Sequence, residues 1–118
     1  MELKHDCVRN VMLYLEENLT MRNAITSNNI NLKEYSSDDI TYTIMKLSEA
    51  GYLNASKQDL MGIIIIKSLT YSGHQFLDTI RDNSIWKETK SKIASLASVS
   101  LPVIQQVAAS IITRKLGL

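Results

Sequence analysis

The residues whose types and spacing could do chemistry are His74, Asp78 and Arg81. Spacings of four and three put them side by side on one face of a helix. The histidine and aspartate could supply two ligands of a metal site, or a general base with the carboxylate that orients it. No third ligand, nucleophile or oxyanion donor accompanies them, and structural ion-pair networks often imitate sites. A surface ion pair that ties this helix to the next one is therefore the favoured interpretation.

Few other residues are suited to chemistry. The single cysteine, Cys7, lies beside an apolar stripe without an activating partner, which is typical of a small buried side chain. The chain has no glycine-rich phosphate loop, no Cys/His zinc spacing and no Gly-x-Ser-x-Gly motif. With two histidines and one cysteine, a metal cluster is not expected. The sequence therefore predicts no enzyme, no cofactor and no metal.

Length and composition favour one small globular domain. The chain has 118 residues, and its apolar fraction of 45% is ordinary for such a protein. A single cysteine excludes an internal disulfide and suits a reducing compartment. The first residues, with Glu2, Lys4 and Asp6, do not form an apolar leader, and the closing apolar stretch is too short to span a membrane. We expect a cytoplasmic protein without a membrane partner.

Charge is distributed unevenly along the chain. Residues 1–56 carry five Lys or Arg against eight Asp or Glu, a net charge of −3, whereas residues 57–118 carry eight against four, a net charge of +4. The two halves together give the +1 of the whole chain. A DNA-binding domain usually shows a basic surface, so any such surface is expected in the second half.

Two helices are predicted in the first half. The first has Asp6 as its N-cap and an apolar stripe at helical spacing; the stripe consists of Val8, Val11, Met12, Leu15 and Leu19. Ile30 and Leu32 alternate with polar neighbours and predict a short half-buried strand. The second helix, over residues 38–50, has Ser36 or Ser37 as its cap and ends at Gly51 in the left-handed conformation. Its inner face consists of Ile40, Ile44 and Leu47.

A hairpin follows the second helix. Residues 52–56 predict one strand, residues 59–62 its tip and residues 63–66 the return strand. Four consecutive isoleucines favour extended structure because branching at Cβ restricts helical rotamers. Since both faces of this strand are apolar, we expect it to be covered on both sides.

Three more helices are predicted after the hairpin. Thr70 caps the third, whose inner face consists of Phe76, Leu77 and Ile80. Ser84 caps the fourth, which carries Trp86, Ile93 and Ala97. Pro102 suits the first turn of the fifth. The apolar stripe of the fifth helix consists of Ile104, Val107, Ala108, Ile111 and Ile112.

This order of elements predicts an α+β fold that is mostly helical. A helix, a glycine, a hairpin and another helix are the skeleton of a winged-helix-like domain whose β-hairpin is the wing. We predict a winged-helix-like domain over residues 1–82 and a C-terminal helical extension over residues 83–118, packed on it as part of one structural domain. The closing stripe could cover the isoleucine strand, or it could pair with a second copy in a homodimer through the C-terminal helices.

The sequence also resembles a known family. The matching runs are Asp39-Ile-Thr-Tyr42, Leu47-x-x-Ala-Gly-Tyr-Leu53, Leu69-Thr-x-x-Gly-His-x-Phe-Leu-Asp78, Ile80-Arg-Asp82 and Trp86. They are similar to domain-of-unknown-function family 2513, and the resemblance extends to Leu101 and the closing helix. Thr43 stands where that family often has histidine, and Tyr71 where it often has tryptophan. The resemblance implies a winged-helix-like protein of Gram-positive bacteria, phages and prophages, without an assigned activity or catalytic residues.

The helix before the hairpin often enters the DNA major groove in winged-helix proteins. Its predicted outer face here consists of Asp38, Tyr42, Met45, Lys46 and Glu49. Two acids against one base would repel phosphate, whereas an exposed tyrosine and methionine suit a protein contact. An ordinary solvated face, on which Tyr42 folds back over the hairpin, is the third interpretation.

Basic residues of the second half are the other candidates for DNA contact. They are Lys57 and Lys67 in the hairpin with Arg81, Lys87, Lys90 and Lys92 beyond it. Acidic neighbours dilute this group, so a solvated face is the simpler interpretation. The candidate contact residues for DNA or a partner are Thr41, Tyr42, Met45, Lys46, Lys57, Lys67, Lys87 and Lys90. The first hypothesis is a regulator that binds duplex DNA, and the alternative is an interaction module, host-modulating or adaptor, that binds a protein instead.

Overall fold

Five α-helices and a three-stranded sheet make up the structure, a computed structural model that describes residues 1–118. The helices are α1 (His5–Asn18), α2 (Ser37–Glu49), α3 (Tyr71–Ile80), α4 (Asn83–Ile93) and α5 (Leu101–Lys115). The strands are β1 (Ile25–Thr26), β2 (Leu53–Ala55) and β3 (Ile65–Leu69), and a short 3-10 turn covers Ser27–Asn29. The predicted α+β class with mainly helical content is confirmed.

The chain forms two compact units, Met1–His74 and Gln75–Leu118. The first holds α1, α2, the sheet and the first turn of α3, and the second holds the rest of α3 with α4 and α5. The sequence-based division after residue 82 falls just beyond α3. The predicted boundary after residue 82 stays a prediction, and so does the winged-helix assignment.

In the first unit, α1 and α2 contact each other, α1 contacts β3 and α2 contacts β2. The predicted inner faces are buried: Val8, Val11, Met12 and Leu15 on α1 with Ile40, Ile44 and Leu47 on α2. The predicted cap at Asp6 is wrong, because α1 begins two residues earlier than that cap implies, with Lys4 as N-cap and no side-chain cap. Asp6 lies in the first turn, where its negative charge still suits the helix dipole.

Both predicted ends of α2 are confirmed. The Ser36 hydroxyl accepts a hydrogen bond from the Asp39 backbone N–H at 3.1 Å, and Gly51 has a left-handed φ of 83°. The Lys4 ammonium forms a 2.8 Å ion pair with Asp39, which links the starts of α1 and α2. Thr43 is buried; its hydroxyl donates to the Asp39 carbonyl oxygen at 2.7 Å and lies 3.4 Å from the Cys7 sulfur.

The sheet is antiparallel with strand order β1-β3-β2. The predicted strand at Ile30 and Leu32 is wrong, because the chain pairs with β3 earlier, through Ile25 opposite Ile66. Ser27 then closes the pairing: its N–H donates to the Ile64 carbonyl oxygen at 2.8 Å, and its hydroxyl accepts from the Ile64 N–H at 3.0 Å. The 3-10 turn that follows leaves Ile30 buried but not extended.

The hairpin between β2 and β3 confirms the predicted chain reversal. The return strand begins at Ile65, two residues later than predicted. Its side chains alternate, so that Ile64 and Ile66 are buried whereas Ile65 is 43% exposed. The expectation of cover on both faces is therefore wrong. The start of this strand is buried on one face and exposed on the other, although all four residues are isoleucine.

In the second unit, α4 and α5 contact each other, and Arg114 pairs with Glu88 between them. Phe76, Leu77 and Ile80 are buried as predicted. Asp82, not Ser84, caps α4, because its Oδ1 accepts from the N–H groups of Ser84 and Ile85 at 2.9 and 3.0 Å. Ala97 lies beyond the end of α4 at Ile93 and is exposed, which corrects its predicted place on that helix.

The start of α5 confirms Pro102 in its first turn. From the closing stripe, Ile104, Ala108 and Ile111 are buried and Val107 and Ile112 are half-buried. None of the five helices combines the length and the apolar character that crossing a bilayer requires.

Candidate interaction surface of the hairpin

The two sequence motifs that flank the hairpin meet in one contact, which we call the β2–α3 contact (Gly51, Tyr52, Thr70 and Gly73). The Thr70 hydroxyl donates to the Gly51 carbonyl oxygen at 2.6 Å and accepts from the Gly73 N–H at 3.0 Å. The Thr70 N–H donates to the Tyr52 carbonyl oxygen, also at 3.0 Å. A Cβ on Gly73 would lie 2.1 Å from that oxygen. Thr70 is thus the cap predicted for α3, and these motif residues position the helix against β2.

The row of His74, Asp78 and Arg81 contains an ion pair. Arg81 Nη2 lies 3.0 Å from Asp78 Oδ1, so these two residues form an ion pair. The pair joins the last turn of α3 to the residue that follows the helix, and the expected tie to α4 stays a prediction. His74 is exposed and lines a groove of the first unit that is described below. Nowhere in the chain do three His, Cys, Asp or Glu side chains gather as metal ligands would.

The outer face of α2 carries little free positive charge. Lys46 Nζ is 3.0 Å from Glu49 Oε2 and 5.4 Å from the centre of the Tyr42 ring. Its hydrogen bond to Glu49 raises the pKa of the lysine, which stabilises the charged but already paired state. Asp38 is exposed nearby on the same helix. Thr41, Tyr42, Met45 and Lys46 are all half-buried, whereas Asp38 and Glu49 are exposed.

A groove lies between α2 and the hairpin, and we call it the α2 groove. Its volume is about 380 Å³. Three predicted contact residues, Met45, Lys46 and Lys57, come together in it. The rest of the lining consists of Ser48, Glu49, Ala55, Ser56, Gln58 and Ile64. Its chemistry is that of a shallow binding surface, with an apolar floor and a rim of mixed charge.

Next to this groove is the hairpin tip, residues 59–62. The Asp59 carboxylate accepts hydrogen bonds from the N–H groups of Met61 and Ile63 at 2.8 and 2.9 Å. Gln58 lines the α2 groove and donates to the Gly62 carbonyl oxygen at 3.1 Å, so the groove and the tip are continuous. This fixed turn holds Leu60 fully exposed and Met61 84% exposed.

Sequence reasoning identified the tip as a turn but missed Leu60 and Met61 as candidate contact residues. The available signal was two large apolar residues inside a turn, where polar residues are usual. Of the remaining candidates, Lys67 is exposed on β3 and lies in a different groove from Lys57. Lys87 and Lys90 belong to α4 in the second unit, and Lys90 Nζ lies 5.8 Å from the centre of the Trp86 ring.

These features define a small α+β protein whose hairpin tip carries two exposed apolar residues beside a groove. The chain belongs to the family described as "Hypothetical protein (DUF2513)", whose model matches residues 2–100. The predicted family is thereby confirmed, although the match ends before α5. A Haemophilus influenzae protein described as "Uncharacterized protein" is 29% identical over 120 residues, which cover 99% of this chain and all of that protein. No solved structure matches the chain.

Proposed function

We propose that this chain is a protein-interaction module of winged-helix type, host-modulating or adaptor in role, and not an enzyme. It presents the hairpin tip and the adjoining α2 groove to a partner protein. The observation that carries the proposal is the tip itself, where Leu60 and Met61 project into solvent from a hydrogen-bonded turn.

Exposed apolar side chains at the tip of a fixed turn favour protein contact for two physical reasons. Burying them in a partner removes apolar area from water, at about 25 cal/mol per Å². The turn is already ordered by the Asp59 and Gln58 hydrogen bonds, so less conformational entropy is lost on binding. Methionine is also enriched at protein interfaces.

The charges of α2 favour the same partner class. Phosphate affinity comes from Lys and Arg that neutralise backbone charge. On this face the only base, Lys46, is paired with Glu49, and Asp38 adds a further negative charge. A DNA backbone would therefore meet net repulsion, whereas Met45 and Tyr42 offer apolar area to a protein.

The test is affinity capture from a bacterial lysate, quantified by mass spectrometry. Wild type is compared with the double variant Leu60→Ser/Met61→Ser. Leu96→Ser is the matched control, since it removes an exposed leucine outside the hairpin. We expect at least one partner that wild type and the control both enrich and that the double variant loses. Equal recovery by the double variant would remove the tip from the proposal.

The same partner also tests the groove. Met45→Ala and Tyr42→Ala remove the apolar side chains of α2 that face or border it. We expect each to weaken binding of the purified partner, as measured by calorimetry. Unchanged affinity in both variants would restrict the contact to the tip.

A regulator that binds duplex DNA is the second candidate, and one observation favours it. Lys57 and Lys67 are exposed on the hairpin and form no ion pair. Two phosphate contacts predict a slope of about −1.8 in log affinity against log salt, or roughly a tenfold loss between 50 and 200 mM. A gel-shift series with mixed-sequence duplex should show that loss, and Lys57→Ala/Lys67→Ala should abolish binding. No retardation at low salt would exclude this candidate.

The proposal includes a cytoplasmic location and a link to phages or prophages. The buried free thiol of Cys7 supports the first. The genes beside the coding sequence test the second directly: phage structural or regulatory genes are expected there.

A further inference from the structure

We propose that a second groove in the first unit binds an extended peptide of a partner protein, one that carries an acidic side chain beside an apolar one. We call it the β3 groove; its volume is about 460 Å³. Its lining consists of Leu15, Glu16, Leu19, Thr20, Met21, Lys67, Ser68, Leu69 and His74. It shares no residue with the α2 groove or the hairpin tip, so the inference is independent of the proposed function.

An unpaired strand edge borders this groove. β1 pairs only with Ile65 and Ile66, so residues 67–69 of β3 have no strand partner on that side. On the other side Asn54 and Ala55 of β2 lie opposite Ser68 and Ile66, so Lys67 stands at a bulge. The chain before β1 forms a turn at the groove instead of a strand: the Asn23 N–H donates to the Thr20 hydroxyl at 3.0 Å, and Thr20 and Met21 line the groove. An open edge of backbone N–H and C=O groups is a template for an added strand. A peptide in extended conformation would continue the line of β1 along β3.

The floor of the groove is apolar. Leu15 and Leu69 are buried beneath the groove, and the half-buried Leu19 offers apolar surface to one aliphatic or aromatic side chain. Met21 is fully exposed at the rim. Its unbranched thioether side chain adapts to different shapes, so it can close over a bound residue.

The charged residues of the groove determine which second side chain the peptide should carry. Lys67 is exposed and forms no ion pair, and the imidazole of His74 is exposed as well. Glu16 is the single carboxylate among the lining residues. An Asp or Glu of the peptide can pair with Lys67, whereas a Lys or Arg in that place would be repelled. Side chains alternate along a strand, so the acidic residue on the Lys67 side stands next to an apolar residue on the floor side.

The test uses a displayed library of random twelve-residue linear peptides, selected on the immobilised full chain. We expect enriched sequences in which Asp or Glu stands beside Leu, Ile, Val or Phe. A synthetic peptide of the enriched sequence should bind Lys67→Glu at least tenfold more weakly than wild type. Lys57→Glu is the matched control: it reverses an exposed, unpaired lysine on the same hairpin, outside the β3 groove, and should leave the affinity within twofold.

A second measurement separates strand addition from side-chain binding alone. The same peptide with alternate backbone nitrogens methylated cannot donate to a strand edge, and we expect its binding to be lost. Failure of the library to enrich any sequence, equal binding by Lys67→Glu, or full binding of the methylated peptide would each overturn the proposal. Leu60→Ser/Met61→Ser should not change this peptide's affinity, so failure here and failure of the proposed function are distinguishable.

Discussion

Replacing Gly73 with alanine should destabilise the protein, although the same change usually stabilises a helix. Gly73 lies in the first turn of α3, and its φ is not positive. Alanine in such a position normally gains up to about 1 kcal/mol over glycine. Here the added Cβ would lie 2.1 Å from the Tyr52 carbonyl oxygen, where ordinary contact begins at 3.4 Å. The first turn of α3 or β2 would therefore have to move by about 1.3 Å to restore ordinary contact.

The size of the effect follows from what that movement breaks. Overpacking costs about 1–3 kcal/mol. The shift also stretches the hydrogen bonds that Thr70 makes with Tyr52 and Gly73, each worth about 1 kcal/mol. After the helix gain is subtracted, we expect a loss of about 3 kcal/mol. That loss corresponds to a fall in Tm of about 10 °C or more for a chain of this size.

Gly51→Ala is the matched control. Gly51 has a φ of +83°, but a Cβ there meets nothing within 4 Å. Its cost is therefore only that of the left-handed conformation, about 1 kcal/mol. Urea unfolding followed by far-ultraviolet circular dichroism gives both free energies of unfolding. A Gly73→Ala protein that is as stable as wild type, or more stable than Gly51→Ala, would refute the argument from the β2–α3 contact.

Three further outcomes are expected. Hydrogen bonds from the Ser84 hydroxyl and the Ser84 and Ile85 N–H groups lower the pKa of Asp82. The ionised cap therefore stabilises the protein at pH values above the ordinary Asp pKa of about 4, and this stabilisation is lost as the pH falls below that value. Urea unfolding of Asp82→Asn at several pH values should show a shallower decline in stability on acidification than wild type, and an identical decline would contradict this. Burial raises the pKa of the Cys7 thiol, so a thiol reagent at about pH 8 should label it only after urea is added, and rapid labelling of the native protein would be incompatible with the packing. The predicted homodimer through the C-terminal helices needs an exposed apolar position, and Val103 on α5 is 40% exposed; sedimentation velocity should show a dimer that Val103→Glu dissociates, and a monomeric wild type would exclude it.

The elements that sequence reasoning predicted correctly are those with local chemical signals. Ser36 and Thr70 accept hydrogen bonds from N–H groups three residues ahead, and Gly51 takes a conformation that favours glycine. The wrong cap of α4 arose where two good capping residues, Asp82 and Ser84, stand two positions apart. The packing of the helix determines which of the two occupies the N-cap position.

Non-local features account for the other errors. β1 exists because Ile25 pairs with Ile66, forty-one residues further along the chain, and no local pattern encodes that pairing. The exposure of Ile65 likewise depends on what covers each face of the sheet, which four identical residues cannot indicate. The tip residues Leu60 and Met61 were overlooked because apolar side chains in a turn conflict with the usual composition of turns.

The residues that carry the family resemblance are used mainly by the fold. Gly51, Thr70 and Gly73 form the β2–α3 contact, and Phe76 and Trp86 are buried. Such residues support membership of a family without indicating what its members bind, because a core position constrains packing and not the choice of partner. The exposed residues on which both binding proposals depend, Leu60, Met61 and Lys67, lie outside the matching runs. Partner choice can therefore differ between proteins that share the fold, and the two proposals place it in the hairpin tip and the β3 groove.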